Sequence, residues 1–350
     1  MEKKKNSKAF DQSFEMKMSI TAPDITEPIQ MGVVLIMCTI FFLGHTLGTI
    51  LAIYLVLSPC AVIAIIYLTW FYAFDLDISR QGGRRFEFFR YLKTWHFFRD
   101  YFPIKLIRTK RLDPKRNYVF GYHPHGIMCI GAWLNFATEA TGFSQLFPGI
   151  KPYLLTLTLM FKFPFFRDFV MAGGVCEVSK ESVEHVLSRE GTGNAAVIVI
   201  GGAAESLDAR PGSHKLTLKN RKGFVKYALK HGASLVPVYS FGENELYCQM
   251  DNPEGSWLRS LQKKLQRMLS FAPPVFFGRG LLPGSLGFLP HKRSVCTVVG
   301  APVIVKRVVP NPSQKEIDRL HKKYITGLIN LFQQHKHRYG IPKETRLIIQ

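Results

Sequence analysis

Charge is missing from one long stretch of this sequence: between Met31 and Phe74, 44 residues contain no Asp, Glu, Lys or Arg. Spanning a bilayer takes about 20 apolar residues. The run is therefore long enough for two passes and too long for the buried hairpin of a soluble protein. Ser58-Pro59 divides it into a span of 31–57 and a shorter piece of 60–74, which either spans or dips in and returns. Cysteine is sparse as well. Cys38, Cys60, Cys129, Cys176, Cys248 and Cys296 form no CxxC pair and no metal-ligand spacing, which excludes a disulfide framework and fits reduced thiols facing the cytosol. No Asn-x-Ser/Thr acceptor occurs, because Asn311 is followed by Pro312, in keeping with a cytosolic body. Residues 1–30 carry five Lys and five acidic residues and lack the short apolar core and cleavage site of a secretory signal. Acid is the scarcer charge overall: 46 Lys and Arg against 25 Asp and Glu leave a formal charge of +21. So basic a surface suits nucleic acid, anionic lipid headgroups or a polyanionic small ligand.

Four regions follow. Residues 1–30 form a polar cytosolic segment, 31–74 a membrane-embedded helical hairpin, 75–115 a basic, aromatic interfacial linker, and 116–350 the cytosol-facing body. The linker sets the orientation: from Arg80 to Arg116 there are twelve Lys or Arg and three acids, and positive charge stays inside. Its aromatic residues (Phe86, Phe88, Phe89, Tyr91, Trp95, Phe97, Phe98, Tyr101, Phe102) read as an interfacial collar. Base-stacking on nucleic acid fits poorly beside a membrane segment. In the body, apolar runs at Asn117–Phe120, Tyr153–Thr158, Ala195–Ile200, Ser234–Tyr239 and Val295–Val299 predict strands. Helical patterns at Lys180–Arg189, Arg221–His231, Trp257–Ser270 and Gln314–Lys336 alternate with them, which predicts an α/β fold, a sheet covered by helices. A second apolar stretch, Tyr153–Phe166, reads as a core strand and loop, with a membrane-dipping wall as the other reading.

Several familiar sites are absent. Gly191-Thr192-Gly193-Asn194-Ala195-Ala196 has the letters of a dinucleotide fingerprint but precedes its strand instead of following one. Pro283-Gly284-Ser285-Leu286-Gly287 lacks the first glycine of a nucleophile elbow. What remains is Tyr118-Val119-Phe120-Gly121-Tyr122-His123-Pro124-His125-Gly126, a β-prone run delivering two histidines spaced i, i+2, on one face of an extended chain. A metal site on His123 and His125 wants a third ligand, and none presents itself. A second strand, Val199-Ile200, ends in Gly201-Gly202-Ala203-Ala204-Glu205-Ser206 and brings a carboxylate to its C-terminal tip, where ligands bind in open α/β sheets. A histidine base and a carboxylate to orient it suffice for acyl transfer from an activated thioester to an alcohol. His125 is the preferred base with His123 second, Glu205 the orienting carboxylate, and Gly126, Gly201 and Gly202 candidate oxyanion donors. Asn220, Arg221, Lys222 and Gly223 open a helix with cations beside a glycine, and Arg279 lies between Gly278 and Gly280. Both suit the phosphates of coenzyme A.

His123-Pro124-His125-Gly126 resembles the signature of the diacylglycerol acyltransferase type 2 family, which includes monoacylglycerol and wax alcohol acyltransferases. Blocks at Arg99–Pro103, Phe120–Gly126, Phe147–Gly149, Gly201–Ser206, Asn220–Lys226, Tyr239–Glu245 and Phe277–Gly280 are similar to that family's, in its order. The resemblance implies a multi-pass endoplasmic-reticulum enzyme, with an extension to lipid droplets, that esterifies a neutral lipid hydroxyl. Its co-substrate would be fatty acyl-CoA, with no other cofactor and no metal; its partners would be the acceptor lipid and the bilayer, with no nucleic acid and with homo-oligomerisation left open. It also implies a glycerolipid-acyltransferase-like mixed sheet, and kinship to enzymes in which four residues separate a His from an Asp. Here Met128 and Ile130 stand at those positions, so the carboxylate must come from elsewhere. Those kindred enzymes place an Arg near the glutamate for a phosphorylated acceptor. In this chain no cation follows Glu205 until Arg210, which fits a neutral acceptor, with diacylglycerol ahead of monoacylglycerol and long-chain alcohol. Two readings from other classes are a metal-dependent lipid hydrolase and a non-catalytic lipid-binding homologue.

Overall fold

The computed structural model describes residues 26–189, 191–269, 273–282 and 284–350. Most of the polar segment 1–30 and Pro283 of the false elbow lie outside the described residues. Helix α1 runs from Thr26 to Val56 and α2 from Ala61 to Phe74, with Ser58 capping the turn through a bond to the Leu55 carbonyl. Among the described residues α1 is the one helix long and apolar enough to cross a membrane. The 14 residues of α2 cover about 21 Å at ~1.5 Å per residue, short of the ~30 Å hydrocarbon core.

The first part of α1 packs on the body. Val34 and Cys38 are fully buried, and the Phe41 ring meets Trp133 edge-on at 5.0 Å. Gly44 and Gly48 then let chain segment 164–166 approach: a Cβ at Gly44 would stand 2.6 Å from the Phe166 ring, and one at Gly48 2.5 Å from the Pro164 carbonyl oxygen. Beyond that contact Ile53, Leu57, Val62, Ile63 and Ile66 are exposed. The stretch Tyr153–Phe166 supplies a core strand and then this wall against α1.

Segment 75–115 belongs to the body more than its composition predicts. In α3 (Thr94–Tyr101) Trp95, Phe98 and Tyr101 are buried, as is Phe102, whereas Phe86, Phe88 and Tyr91 are exposed. Four of the nine expected collar aromatics are therefore core, because the short helix turns its apolar stripe inward. The next residues form β1 (Ile104–Arg108), an edge strand of the main sheet.

That sheet has seven strands. After β1 come β2 (Tyr118–His123), β3 (Lys151–Thr156), β4 (Val175–Glu177), β5 (Asn194–Val199), β7 (Ser234–Phe241) and β11 (Val295–Val299), in the spatial order β1-β11-β7-β2-β5-β3-β4. The five from β7 to β4 are mutually parallel, and β11 with β1 runs against them. The mixed α/β architecture expected from the sequence is present. The short pieces β6 (Lys215–Leu216) and β12 (Ile348–Ile349) pair with each other, and β8 (Cys248–Gln249), β9 (Phe276–Arg279) and β10 (Leu286–Gly287) form a small antiparallel sheet. The remaining α-helices of five or more residues among the described residues are α4 (Phe166–Ala172), α5 (Lys180–Ser188), α6 (Gly202–Ser206), α7 (Gly223–His231), α8 (Trp257–Leu269) and α9 (Gln314–His335).

Alternation along β2 divides the core. Tyr118, Phe120 and Tyr122 enter the layer containing α1, α3 and Trp133. Val119 enters the layer built by α5, α7 and α9, the same side on which Gly121 and His123 meet Tyr324 of α9. Both faces are covered, so β2, β5 and β7 are buried along nearly their whole length, as parallel sheets require.

The glycines of α1 provide a test. Gly48→Leu should push the helix off segment 164–166, costing about 1–3 kcal/mol through overpacking. Gly32→Ala meets nothing within 4 Å and should be neutral or stabilising by up to about 1 kcal/mol. Thermal midpoints of the purified full chain check both; equal midpoints for Gly48→Leu and wild type would contradict this packing.

Candidate functional site

Three adjacent strands end together. Tyr122 of β2 is in register with Val199 of β5 on one side and Val238 of β7 on the other. The residues following the three tips, 123–126, 200–206 and 242–246, therefore emerge side by side at the carboxyl edge of the sheet, where ligands of α/β sheets bind. The middle tip carries the histidines and each flanking tip carries a buried glutamate.

Glu205 makes no hydrogen bond to either imidazole; it grips main chain instead. Its Oε1 accepts the backbone N–H of His125 at 2.7 Å, and its Oε2 accepts that of Thr217 at 2.8 Å. Gly201 makes this reach feasible, because a Cβ there would lie 2.2 Å from the Glu205 carboxylate. Only 2% exposed, the Glu205 carboxyl is pushed up to about 7 by burial, against the pull of its two N–H donors.

His125 is half-buried and its Nδ1 lies 3.1 Å from the Gly126 carbonyl oxygen. A carbonyl only accepts, so in the neutral ring Nδ1 carries the proton and Nε2 keeps its lone pair. Burial lowers the His125 pKa, which keeps the ring neutral at pH 7. One nitrogen held as a donor and the other left basic is the arrangement a general base needs. His123 precedes Pro124 across a cis peptide bond and is fully buried. Its Nε2 sits 3.0 Å from the hydroxyl of Tyr324, and burial lowers its pKa to about 3.

Two of the site's supporting residues, Glu243 and Tyr324, went unread in the sequence. Glu243 is 2% exposed; its carboxylate accepts the Tyr122 hydroxyl at 2.8 Å and the Gly131 N–H at 3.1 Å, and Ser240 at 3.3 Å. Burial raises it to about 7 as well. Gly126 has φ +63° and presses on Glu243, whose Cγ would stand 2.8 Å from a Cβ there, so only glycine fits. The signal available in sequence was a glutamate directly after Phe241-Gly242, in the same strand–glycine–carboxylate pattern as Glu205.

The expected phosphate-binding residues are less gathered. Lys222 is paired with Asp318 at 2.7 Å, while Asn220, Arg221 and Gly223 are exposed at the start of α7. Arg221 lies near enough to Glu205 to favour its ionised form. Arg279 belongs to the small sheet and sits beside Tyr101. Arg210, the first cation after Glu205, is held by Asn252 at 2.6 Å and by Asp251 at 3.2 Å. Among the described residues, no three His, Cys, Asp or Glu side chains converge to hold a metal ion.

Replacing Glu205 by Gln should set its role apart. Gln keeps one acceptor but turns an amide toward a second backbone donor. Turnover should fall about 10- to 100-fold, the loss expected for one charge-assisted hydrogen bond. In the wild type, activity should rise with pH as Glu205 ionises through about 7, and Glu205→Gln should lose that limb. Stability moves the opposite way: the native state holds an extra proton between the ordinary 4.5 and about 7, so this contribution declines as pH rises through that window. A wild-type profile without the limb near 7 would contradict the role assigned to Glu205.

The family model described as diacylglycerol acyltransferase matches residues 53–350. The chain is similar to Diacylglycerol O-acyltransferase 2 of Danio rerio, 52% identical over 302 residues, covering 86% of this chain and 83% of that one. It is 49% identical over 302 residues to the Homo sapiens protein of the same name, covering 86% and 77%. It is also 52% identical over 284 residues to 2-acylglycerol O-acyltransferase 1 of Bos taurus, covering 81% and 84%. No solved structure matches.

Proposed function

From the premise that this chain belongs to the diacylglycerol acyltransferase family, we propose that it transfers the acyl group of fatty acyl-CoA to the free hydroxyl of diacylglycerol at a membrane surface, with His125 as general base. The chain is an acylglycerol O-acyltransferase by family; the acceptor, the base and the membrane setting are the proposal. The observation that carries it is the fixed His125. Its main chain is held by Glu205 and its Nδ1 by the Gly126 carbonyl, which leaves Nε2 to act.

In that reading Nε2 takes the proton of the acceptor hydroxyl as the oxygen attacks the thioester carbonyl. The tetrahedral intermediate collapses by breaking the C–S bond, and the imidazolium returns the proton to the departing thiolate, giving an ester and coenzyme A. No serine or cysteine nucleophile is needed, since the thioester is already activated. Backbone N–H groups of Gly126, Gly201 and Gly202 are the candidates for steadying the oxyanion. Exposed Arg221, the Asp318-paired Lys222 and Arg279 are candidates for the coenzyme A phosphates. Arg210, the first cation after Glu205, is engaged by Asn252 and Asp251 and so is not offered to a phosphorylated acceptor, which favours a neutral lipid. The bovine relative's name supports 2-monoacylglycerol as the second reading.

Three features support a membrane setting. The exposed half of the α1–α2 hairpin is apolar. Segment 80–116 is basic. Helix α8 is inside out for a soluble protein: Arg259 and Gln262 are buried while Trp257 is 77% and Met268 69% exposed, the orientation of an interfacial helix. The endoplasmic reticulum, a cytosol-facing site and access to lipid droplets follow as parts of the same proposal.

His125→Ala should lower ester formation in isolated membranes by about 10²- to 10⁴-fold with protein level unchanged. Substantial surviving activity would remove His125 as the base.

A further inference from the structure

The middle of β2 contains a glycine that costs strand stability and has no turn to make. Gly121 lies two residues before His123 on the same face, and a Cβ there would stand 1.9 Å from the hydroxyl oxygen of Tyr324. The missing side chain is a slot for that hydroxyl. Tyr324 comes from α9, far along the chain, and is fully buried. Its ring is held edge-on by Phe224 of α7 at 5.0 Å. In the slot the hydroxyl donates to the Gly121 carbonyl at 3.1 Å and lies 3.0 Å from Nε2 of His123.

The hydroxyl has one hydrogen. With that hydrogen on the Gly121 carbonyl, the Tyr324 oxygen accepts from His123, so His123 carries its proton on Nε2. Its Nδ1 is then a buried lone pair, and no protein group reaches it among the described residues. A buried acceptor without a donor costs free energy, and natural structures retain such groups for a reason. His123 is also the root from which Pro124, His125 and Gly126 leave the sheet.

We propose that Tyr324 is a positioning residue of the acyl-transfer site, acting through His123: seated in the Gly121 slot, it locks the His123 ring in the Nε2–H form and so fixes the base of the loop that presents His125. This rests on the acyl-transfer reading of the loop. The C-terminal helix thereby reaches the centre of the site, and Gly121, Tyr324 and His123 form one unit.

The test is a double-mutant cycle on the full chain in isolated membranes, using Tyr324→Phe, His123→Ala and the double variant, with His125→Ala alongside. Tyr324→Phe should lower kcat about 10- to 100-fold with KM for acyl-CoA little changed. The double variant should be no slower than His123→Ala alone, because Tyr324 has nothing left to hold. Wild-type kcat in Tyr324→Phe, or losses that multiply in the double variant as for a merely structural tyrosine, would overturn the proposal. Should Tyr324→Phe fail to accumulate, Gly121→Ala, which displaces the hydroxyl while keeping the tyrosine, closes the same cycle with the same two outcomes. An active His125→Ala would instead overturn the base assignment. An inactive His125→Ala beside a fully active Tyr324→Phe would leave that assignment standing and remove only the Tyr324 role.

Discussion

The 2.7 Å bond from the His125 backbone N–H to Glu205 is the interaction on which the site depends. It joins the tips of two adjacent parallel strands and sets the path of a loop with little regular structure of its own. The carboxylate making it is nearly water-free, so the bond is strong when intact and its loss leaves a buried charge or donor unpaired. Glu243 repeats the device from the other flank by gripping Tyr122 and Gly131. The histidine loop is thus clamped from both sides by groups whose ionisation burial has moved toward neutral pH. The carboxylates act on the geometry of the main chain, and the imidazole tautomer is set separately by the Gly126 carbonyl.

This clamp sits on a body arranged around α1. The first half of that helix is part of the core, through Val34, Cys38 and the Phe41–Trp133 contact, and the second half leaves it beyond the Gly44 and Gly48 contacts. One continuous helix therefore ties the fold rigidly to the apolar hairpin. An enzyme of this family must meet a water-soluble thioester and a lipid acceptor in one place. In the proposed membrane setting, a body packed directly on its apolar hairpin would hold the carboxyl edge of the sheet close to the lipid.

Much of this was legible in the residues. The five apolar runs expected as strands are β2, β3, β5, β7 and β11, because strands buried on both faces appear as unbroken hydrophobic sequence. The edge strand β1 was not legible: Ile104-Lys105-Leu106-Ile107-Arg108 alternates charge with apolar residues inside a basic segment, and only its partner β11 makes it a strand. The short β4 was missed for its length. At the site, the i, i+2 histidines and Glu205 were visible as residue types, and the structure brings them together. Which atom Glu205 would bind was not visible, because a backbone N–H leaves no letter in a sequence. Tyr324 and Glu243 lie far from the histidines along the chain, and only the order of strands and the packing of α9 bring them close.

The central claim is that this carboxyl edge passes an acyl group from coenzyme A to a neutral lipid hydroxyl, diacylglycerol first. The most direct measurement offers one labelled fatty acyl-CoA to equal amounts of diacylglycerol, 2-monoacylglycerol and a long-chain alcohol in membranes containing the full chain, and reads the label by product class. The account predicts label chiefly in triacylglycerol. Label released as free fatty acid, with no ester formed from any of the three acceptors, would contradict it.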